Sequence, residues 1–241
     1  MGAMSSRKSG TFKPGIDVLE DRRLLAASIS VVGNTLVIKG NNNNDTVVIS
    51  DNGSGGAGNF AGSTLNGNTS GDLAGTVIQH VVVKLKDGND SVVYNLGGDV
   101  TAPRDLTINF GGGKDSFTFN ETIDDIETGG ALAFYLNNSG GGNDTISITY
   151  SGELEGTLIS AIQGGSGKES VTANYTFDST SSGFFNANFN MGSGNDTVTL
   201  NVTNTAGSTA VVLALIDGDD DSDRFSATAN VSVINFEGQL T

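Results

Sequence analysis

The chain contains no cysteine and no tryptophan, and only 2 of its 241 residues are proline. Without cysteine it can form neither a disulfide nor a thiolate metal site. No run of about 18 apolar residues occurs, so no membrane-spanning helix is predicted. Bases are also scarce, since only seven lysines and arginines follow residue 24, spread from Lys39 to Arg224. These absences leave a chain that must fold without covalent links or large buried rings.

The charge is strongly negative, at -15 for the whole chain. The first 23 residues contain five bases and three acids, so the remainder carries -17. Nucleic acid and anionic membranes are poor partners for such a body. The charge favours divalent cations as partners instead.

Glycine is abundant, with 35 residues, and hydrophobic residues make up 36% of the chain. This composition excludes a broad core of large side chains but allows a narrow one of stacked Val, Ile, Leu and Phe. Disorder is the competing interpretation of a chain rich in Gly, Asn and Ser. It is disfavoured because apolar and polar residues alternate in short segments that recur at a regular interval.

The recurring unit is clearest in residues 191–200, which read MGSGNDTVTL, a glycine-rich turn that ends in Asn-Asp and runs into a short strand. Related segments contain one acidic residue at the same place, here called an anchor acid. The anchor acids are Asp45, Asp90, Asp115, Asp144, Glu169, Asp196 and Asp223. After a first step of 45 residues, the steps are 25, 29, 25, 27 and 27. A spacing near 26 residues identifies an internal repeat.

Each unit reads as strand, turn, strand and connector. Apolar residues fall two and four positions after each anchor acid, as Val198 and Leu200 do after Asp196, with Ser or Thr between them. This alternation places the apolar set inside and the hydroxyl set outside. We predict an all-β fold, a right-handed parallel β-helix of seven to eight coils over residues 28–241. The alternative is an antiparallel stack of β-hairpins, and residues 51–75 form either a degenerate coil or a surface excursion.

Residues 1–27 differ from this body and are predicted to be a disordered or weakly helical leader. Residues 18–26, VLEDRRLLA, resemble the N-terminal Leu-Glu-x-Arg-x-Leu-Leu-Ser/Ala motif of planctomycete-type secreted and surface proteins. The match covers about ten residues. The resemblance implies a location at the cell surface or outside the cell, and it implies no activity.

The turns resemble the calcium-binding nonapeptide of repeats-in-toxin proteins, Gly-Gly-x-Gly-x-Asp-x-hydrophobic-x. Residues 164–172, GGSGKESVT, match it with Glu169 in place of Asp, and three other turns lack only the first glycine. The resemblance implies that carboxylates and turn carbonyls bind calcium at Asp45, Asp90, Asp115, Asp144, Glu169 and Asp196. Here one turn occurs per coil, so the neighbouring coil must complete each site. The alternative is purely structural, because stacked Asn and Asp can satisfy the backbone groups of a turn without metal.

The last turn is the most acidic, and residues 217–223 read DGDDDSD. Acids at alternate positions repel one another unless a cation or water screens them. We therefore predict calcium binding by Asp217, Asp219, Asp221 and Asp223, with a solvated turn as the alternative. The loop lacks the glycine and the closing glutamate of an EF-hand. His80, the one histidine, is expected to have a structural role.

Together these features predict a non-enzymatic, calcium-stabilised extracellular or cell-surface solenoid with a structural, adhesive or self-assembling role. Expected partners are calcium ions, a second copy bound through open solenoid ends, and a surface polysaccharide or protein. One alternative is a β-helix polysaccharide lyase or hydrolase, which would need bases clustered beside carboxylates. Another is an ice-binding solenoid that uses the outward hydroxyl ladder.

Overall fold

The computed structural model describes residues 27–138, 140–219, 221–228, 232–234 and 238–239. Of the predicted leader, only Ala27 lies within the described residues. The described chain is almost entirely β, with one short 3-10 helix at Gly71–Gly75. It contains no helix of the length and hydropathy needed to span a membrane.

The strands are short, from two to eight residues. They are β1 (Ser28–Val32), β2 (Thr35–Lys39), β3 (Thr46–Asp51), β4 (Thr64–Leu65), β5 (His80–Lys84), β6 (Ser91–Leu96), β7 (Pro103–Asn109), β8 (Ser116–Glu121), β9 (Ala131–Asn137), β10 (Gly141–Gly142), β11 (Thr145–Gly152), β12 (Thr157–Gln163), β13 (Ser166–Gly167), β14 (Ser170–Phe177), β15 (Phe184–Asn190), β16 (Thr197–Asn204), β17 (Val211–Asp217), β18 (Arg224–Ala227), β19 (Ser232–Ile234) and β20 (Gly238–Gln239).

The strands form two long sheets that face each other. Sheet 1 has the order β1-β2-β5-β7-β9-β12-β15-β17-β19, and sheet 2 has the order β20-β18-β16-β14-β11-β8-β6-β3-β4. Each coil passes from a strand of sheet 1 through a turn to sheet 2, then returns through a connector. We call these two corners the turn edge and the connector edge. Strands one coil apart are therefore neighbours in the same sheet.

Strand pairing is parallel along the whole stack, except for the outermost pairs β1-β2 and β3-β4. The parallel β-helix is thus confirmed, and the antiparallel stack of hairpins is excluded. Pairing is also in register: Thr145 pairs with Ser116 on one side and Ser170 on the other. Because these residues directly follow the anchor acids, the anchor acids lie above one another.

The core is a set of apolar columns that run along the stack. Residues two and four positions after the anchor acids are fully buried from β6 to β16, as predicted from the alternation. A third column closes the connector edge with Val100, Ile126 and Leu154, all at 0% exposure. In-register stacking brings like side chains into contact. The expectation that large rings are not buried was wrong, because Tyr94, Phe119 and Phe134 are buried and pack against one another in the core.

About five coils are regular, slightly fewer than the seven to eight predicted. The difference arises at the two ends of the stack. The prediction counted acidic turns in the sequence, and the terminal turns belong to incomplete coils. At the first coil, β1 and β4 add antiparallel to the two sheets. At the last, β18, β19 and β20 contain only four, three and two residues.

Beyond Asp51, which ends β3, the glycine-rich segment 51–75 contributes no parallel strand. The strands on either side of it, β3 and β6, are direct neighbours in sheet 2. The segment instead forms β4, which pairs with the outer side of β3, and the 3-10 helix. It is therefore a surface excursion that covers the edge of the first coil.

Candidate functional site

The anchor acids form one buried column along the turn edge. All seven are between 1% and 3% exposed, although each belongs to a turn. The short strands at the turns, β10 and β13, pair with each other, which shows that the turns themselves stack in register. The sequence prediction that these acids share one edge is therefore correct, and their carboxylates are directed inward.

Hydrogen bonds connect successive anchor acids. At five of the six steps, the backbone N–H of one anchor acid donates to a carboxylate oxygen of the next, as Asp45 does to Asp90 and Asp196 does to Asp223, both at 2.7 Å. The same bond joins Asp90 to Asp115 at 2.7 Å, Asp115 to Asp144, and Glu169 to Asp196 at 2.7 Å. At these five steps, one carboxylate oxygen therefore replaces a missing backbone partner at the turn.

Asparagines beside the anchor acids add bonds in the opposite direction. Asn44 Oδ1 accepts from the N–H of Asn89 at 2.9 Å, and Asn89 Oδ1 accepts from Lys114 at 2.8 Å. Two further bonds of this kind join Asn143 to Lys168 and Asn195 to Ser222. The Asn-Asp pair of the repeat thus links each turn to both of its neighbours.

Glycine two positions before the anchor acid lets the turns stack closely. A Cβ placed on Gly142 would lie 1.5 Å from the carbonyl oxygen of Gly113, and one on Gly194 would lie 1.4 Å from that of Gly167. No side chain fits in that space. The turn carbonyls therefore form their own column beside the carboxylates.

One carboxylate oxygen has no protein donor at four of these positions. They are Asp90 Oδ2, Asp115 Oδ2, Glu169 Oε2 and Asp196 Oδ2, all buried. A buried acceptor without a donor is destabilising by ~1–3 kcal/mol, and more when it is charged. The column is therefore short of positive charge or of protons.

The pKa values of the same four acids are raised. Burial raises the pKa of Asp90 to about 7 and that of Asp115 to about 6, and charged neighbours in the column add to both shifts. Burial, together with the charge of Asp196 and a hydrogen bond to its carboxylate, raises the pKa of Glu169 to about 8. Burial also raises the pKa of Asp196 to about 6. Ionising the whole column is therefore unfavourable unless a cation is present.

The acidic loop 217–223 is split between two roles. Asp223 continues the buried column, and Asp221 Oδ2 accepts from the N–H of Gly194 at 2.8 Å. Asp219 is exposed, and its N–H donates to Asp217 Oδ1 at 3.2 Å. The four candidate ligands therefore do not converge on one point. Asp221 stands where other turns have glycine and binds the preceding turn.

Side chains alone do not build a metal centre in the described part of the chain. No group of three or more His, Cys, Asp or Glu residues there is placed to hold one ion. What the turn edge offers is a row of carboxylate oxygens beside a row of backbone carbonyls. Both are hard oxygen ligands of the kind that calcium prefers.

Sequence reasoning missed a buried polar cluster at the far end of β3. The side chain of Arg104 pairs with Asp51, and Tyr94 also donates to that carboxylate. Arg104 additionally donates to the carbonyl oxygens of Gly53 at 2.6 Å and Ser54 at 3.2 Å. The partners lie 53 residues apart in the chain, so no local motif could have revealed the pair.

Two bases that are distant in the sequence line the same surface depression near the C-terminal turns. Lys168 and Arg224 line a surface depression of about 540 Å³, together with Asn195, Thr197 and Ser222. The acids at this depression, Asp196 and Asp223, are each 1% exposed and lie in the anchor column. His80 is placed elsewhere, on sheet 1, with Nδ1 2.5 Å from Asp105 Oδ2.

Comparison with protein-family models, with curated proteins and with solved structures found no match for the chain.

Proposed function

We propose that the protein is a non-enzymatic structural module of the cell exterior, a β-solenoid whose turn edge is stabilised by calcium. The observation that supports this most directly is the buried anchor column, in which four carboxylate oxygens lack a protein partner. A divalent cation would supply the missing positive charge without disturbing the bonds that already hold the other oxygens.

The residues of the turn edge fit calcium by their chemistry. Calcium accepts six to eight oxygen ligands in irregular geometry, whereas magnesium demands a near-ideal octahedron. Anchor carboxylates from neighbouring coils and the glycine carbonyls between them would hold the ion. Bound there, it would neutralise like charges that are only one coil, ~4.8 Å, apart.

The resemblance of residues 18–26 to a surface-protein motif supports the proposed location. Calcium is plentiful outside cells, and extracellular calcium modules work with affinities of ~10⁻⁴–10⁻³ M. A body of charge -17 would also remain soluble and monomeric unless a specific surface allowed association.

Self-association is proposed through the outer face of sheet 1 rather than through the ends. At the N-terminal end, β1 and β4 cover the parallel edges. The outer face of sheet 1 contains exposed apolar residues: Tyr135 is 41% exposed, and Val211 and Leu213 are each 53% exposed. The outward residues of sheet 2 are mostly Ser, Thr and Asn. The exposed apolar residues of sheet 1 favour contact with a second copy through that face.

The calcium proposal is tested by calorimetric titration with calcium chloride and by thermal melts with calcium or chelator. We expect saturable binding and a higher melting temperature in calcium. Asp115→Asn and Asp196→Asn should each reduce the number of ions bound. Asp178→Asn is the matched control, since Asp178 is an acid outside the column. A melt that chelator leaves unchanged would contradict the proposal and leave the fold as described.

A further inference from the structure

The step of the anchor column from Asp144 to Glu169 departs from the repeat, and each of the two coils that it joins is unusual. Asn137 pairs with Gln163, yet Asp144 lies seven positions after Asn137, whereas Glu169 lies six positions after Gln163. The turn before Asp144 therefore contains an extra residue. The next coil carries the one glutamate among the anchor acids, with a side chain one methylene longer.

The two departures meet at Asn138. Its N–H donates to Gln163 O at 2.8 Å. Phe110 and Met191 hold the equivalent position in their own coils, since their N–H groups donate to Asn137 O and Asp217 O of the next coil. Asn138 thus occupies a column that holds a fully buried apolar side chain in those two coils. In the adjoining coil the column position is Gly164, which has no side chain.

The amide of Asn138 lies between two carboxylates. Its Nδ2 donates to Asp144 Oδ2 and lies 3.3 Å from Glu169 Oε1. Asn138 is 1% exposed, and its Oδ1 has no hydrogen-bond partner. Glu169 Oε2 also has none. The regular bond from the anchor N–H to the next carboxylate is replaced at this step by the amide bridge.

We propose that Asp144, Glu169 and Asn138 form a distinct calcium site, the tightest in the column, in which the amide contributes its oxygen as a ligand. This inference rests on the proposed function and names one site within it. A rotation of 180° about χ2 of Asn138 exchanges Nδ2 and Oδ1 without moving the backbone. Two carboxylates and one neutral oxygen then face one ion, and backbone carbonyls or water complete the shell.

A structural role for Asn138 predicts something different. As a hydrogen-bond donor only, it would bridge the two carboxylates in the ion-free protein. Asn138→Asp separates the two roles, because it removes the donor and adds a charged oxygen ligand. A cation site then gains affinity, since calcium affinity rises with the number of charged ligands.

The experiment is calorimetric titration of the full chain with calcium chloride, with circular dichroism to confirm folding of each variant. We expect Asn138→Asp to bind one ion about tenfold more tightly than the parent chain. Asn138→Leu, which restores the apolar column, should lose that ion and retain the others. Asn109→Asp adds the same charge on the outer side of the neighbouring coil and should change nothing.

Unchanged calcium binding in Asn138→Asp and Asn138→Leu would overturn the site while the proposed function stands. A parent chain that binds no calcium would overturn both. If Asn138→Asp does not fold, Glu169→Gln replaces it, with loss of the tightest ion expected and unchanged binding as the refuting result.

Discussion

At the scale of single residues, the turn edge depends on side chains that are absent as much as on those present. Gly142 and its equivalents leave room for a carbonyl of the adjoining coil. Asp90, Asp115 and Asp196 each use one oxygen to accept from a backbone N–H, and the other oxygen has no protein donor. Glycine and aspartate therefore fix both the spacing and the electrostatics of the column.

Gly142→Ala should destabilise the fold by about 3 kcal/mol or more, because its Cβ would overlap the Gly113 carbonyl and the stack would have to open. Urea unfolding followed by circular dichroism measures this. Gly71→Ala is the control, since nothing lies within 4 Å of the added Cβ. Equal stability of the two variants would show that the turns stack less closely than described.

The column should also make ion-free stability depend on pH. The folded pKa values of about 7 for Asp90 and about 8 for Glu169 exceed their ordinary values of 3.8 and 4.5. At pH values between the ordinary and the folded pKa of each group, the folded state binds more protons than the unfolded state. The free energy of unfolding therefore falls as pH rises. In chelator, we expect the melting temperature to decrease from pH 5 to pH 8. A melting temperature that rises over this interval would contradict the raised pKa values.

At the scale of elements, the buried cluster joins three strands and the excursion. Asp51 ends β3, Tyr94 lies in β6 and Arg104 lies in β7. Through Gly53 and Ser54, Arg104 also holds the start of the excursion. Burial raises the pKa of Asp51 and the charge of Arg104 opposes that shift. The pair therefore specifies how the first coil meets the next ones.

Arg104→Met should destabilise the protein by about 3–5 kcal/mol, since it leaves Asp51 buried without its cation. The double variant Asp51→Asn with Arg104→Met should recover part of that loss, which a double-mutant cycle in urea would quantify. Arg224→Met serves as the control because Arg224 is exposed, with a change within about 0.5 kcal/mol expected. Strict additivity of the two substitutions would contradict the coupling.

At the scale of the whole molecule, charge and shape restrict how copies can meet. The outer face of sheet 1 spans six strands from β5 to β17. With ~4.8 Å between strands and ~3.3 Å per residue, its area is roughly 650 Å². A stable interface buries ~800 Å² per partner. Face-to-face packing of two such sheets would bury roughly 1,300 Å² in total, at the low end of the range for stable interfaces, which corresponds to a weak dimer.

We expect the protein to dimerise with increasing concentration in sedimentation velocity experiments, in the presence of salt that screens the net charge. Tyr135→Thr combined with Leu213→Asn, which copies the chemistry of sheet 2, should leave a monomer. The matched control is Thr118→Asn combined with Thr199→Asn on the outer face of sheet 2. A dimer that survives the first pair of substitutions would place the interface elsewhere.

The repeat, the inward and outward positions and the stacking of the acidic turns were predictable from the sequence. The alternation around Val198 and Leu200 is a local property, and a recurring local pattern stacks like residues on like. Glycine and Asn-Asp at each turn likewise indicated the chemistry of the turn edge. The number of regular coils was not predictable, because a terminal turn looks the same whether or not a coil encloses it.

Tertiary structure alone decided which way the carboxylates point and which distant residues meet. Asn138 became a neighbour of Glu169 through one extra residue in a turn, and Arg104 reached Asp51 across 53 positions. Such contacts depend on strand register and connector length, which together fix how coils align. The alternation along each strand sets which residues face inward, and the alignment of successive coils determines which of them touch.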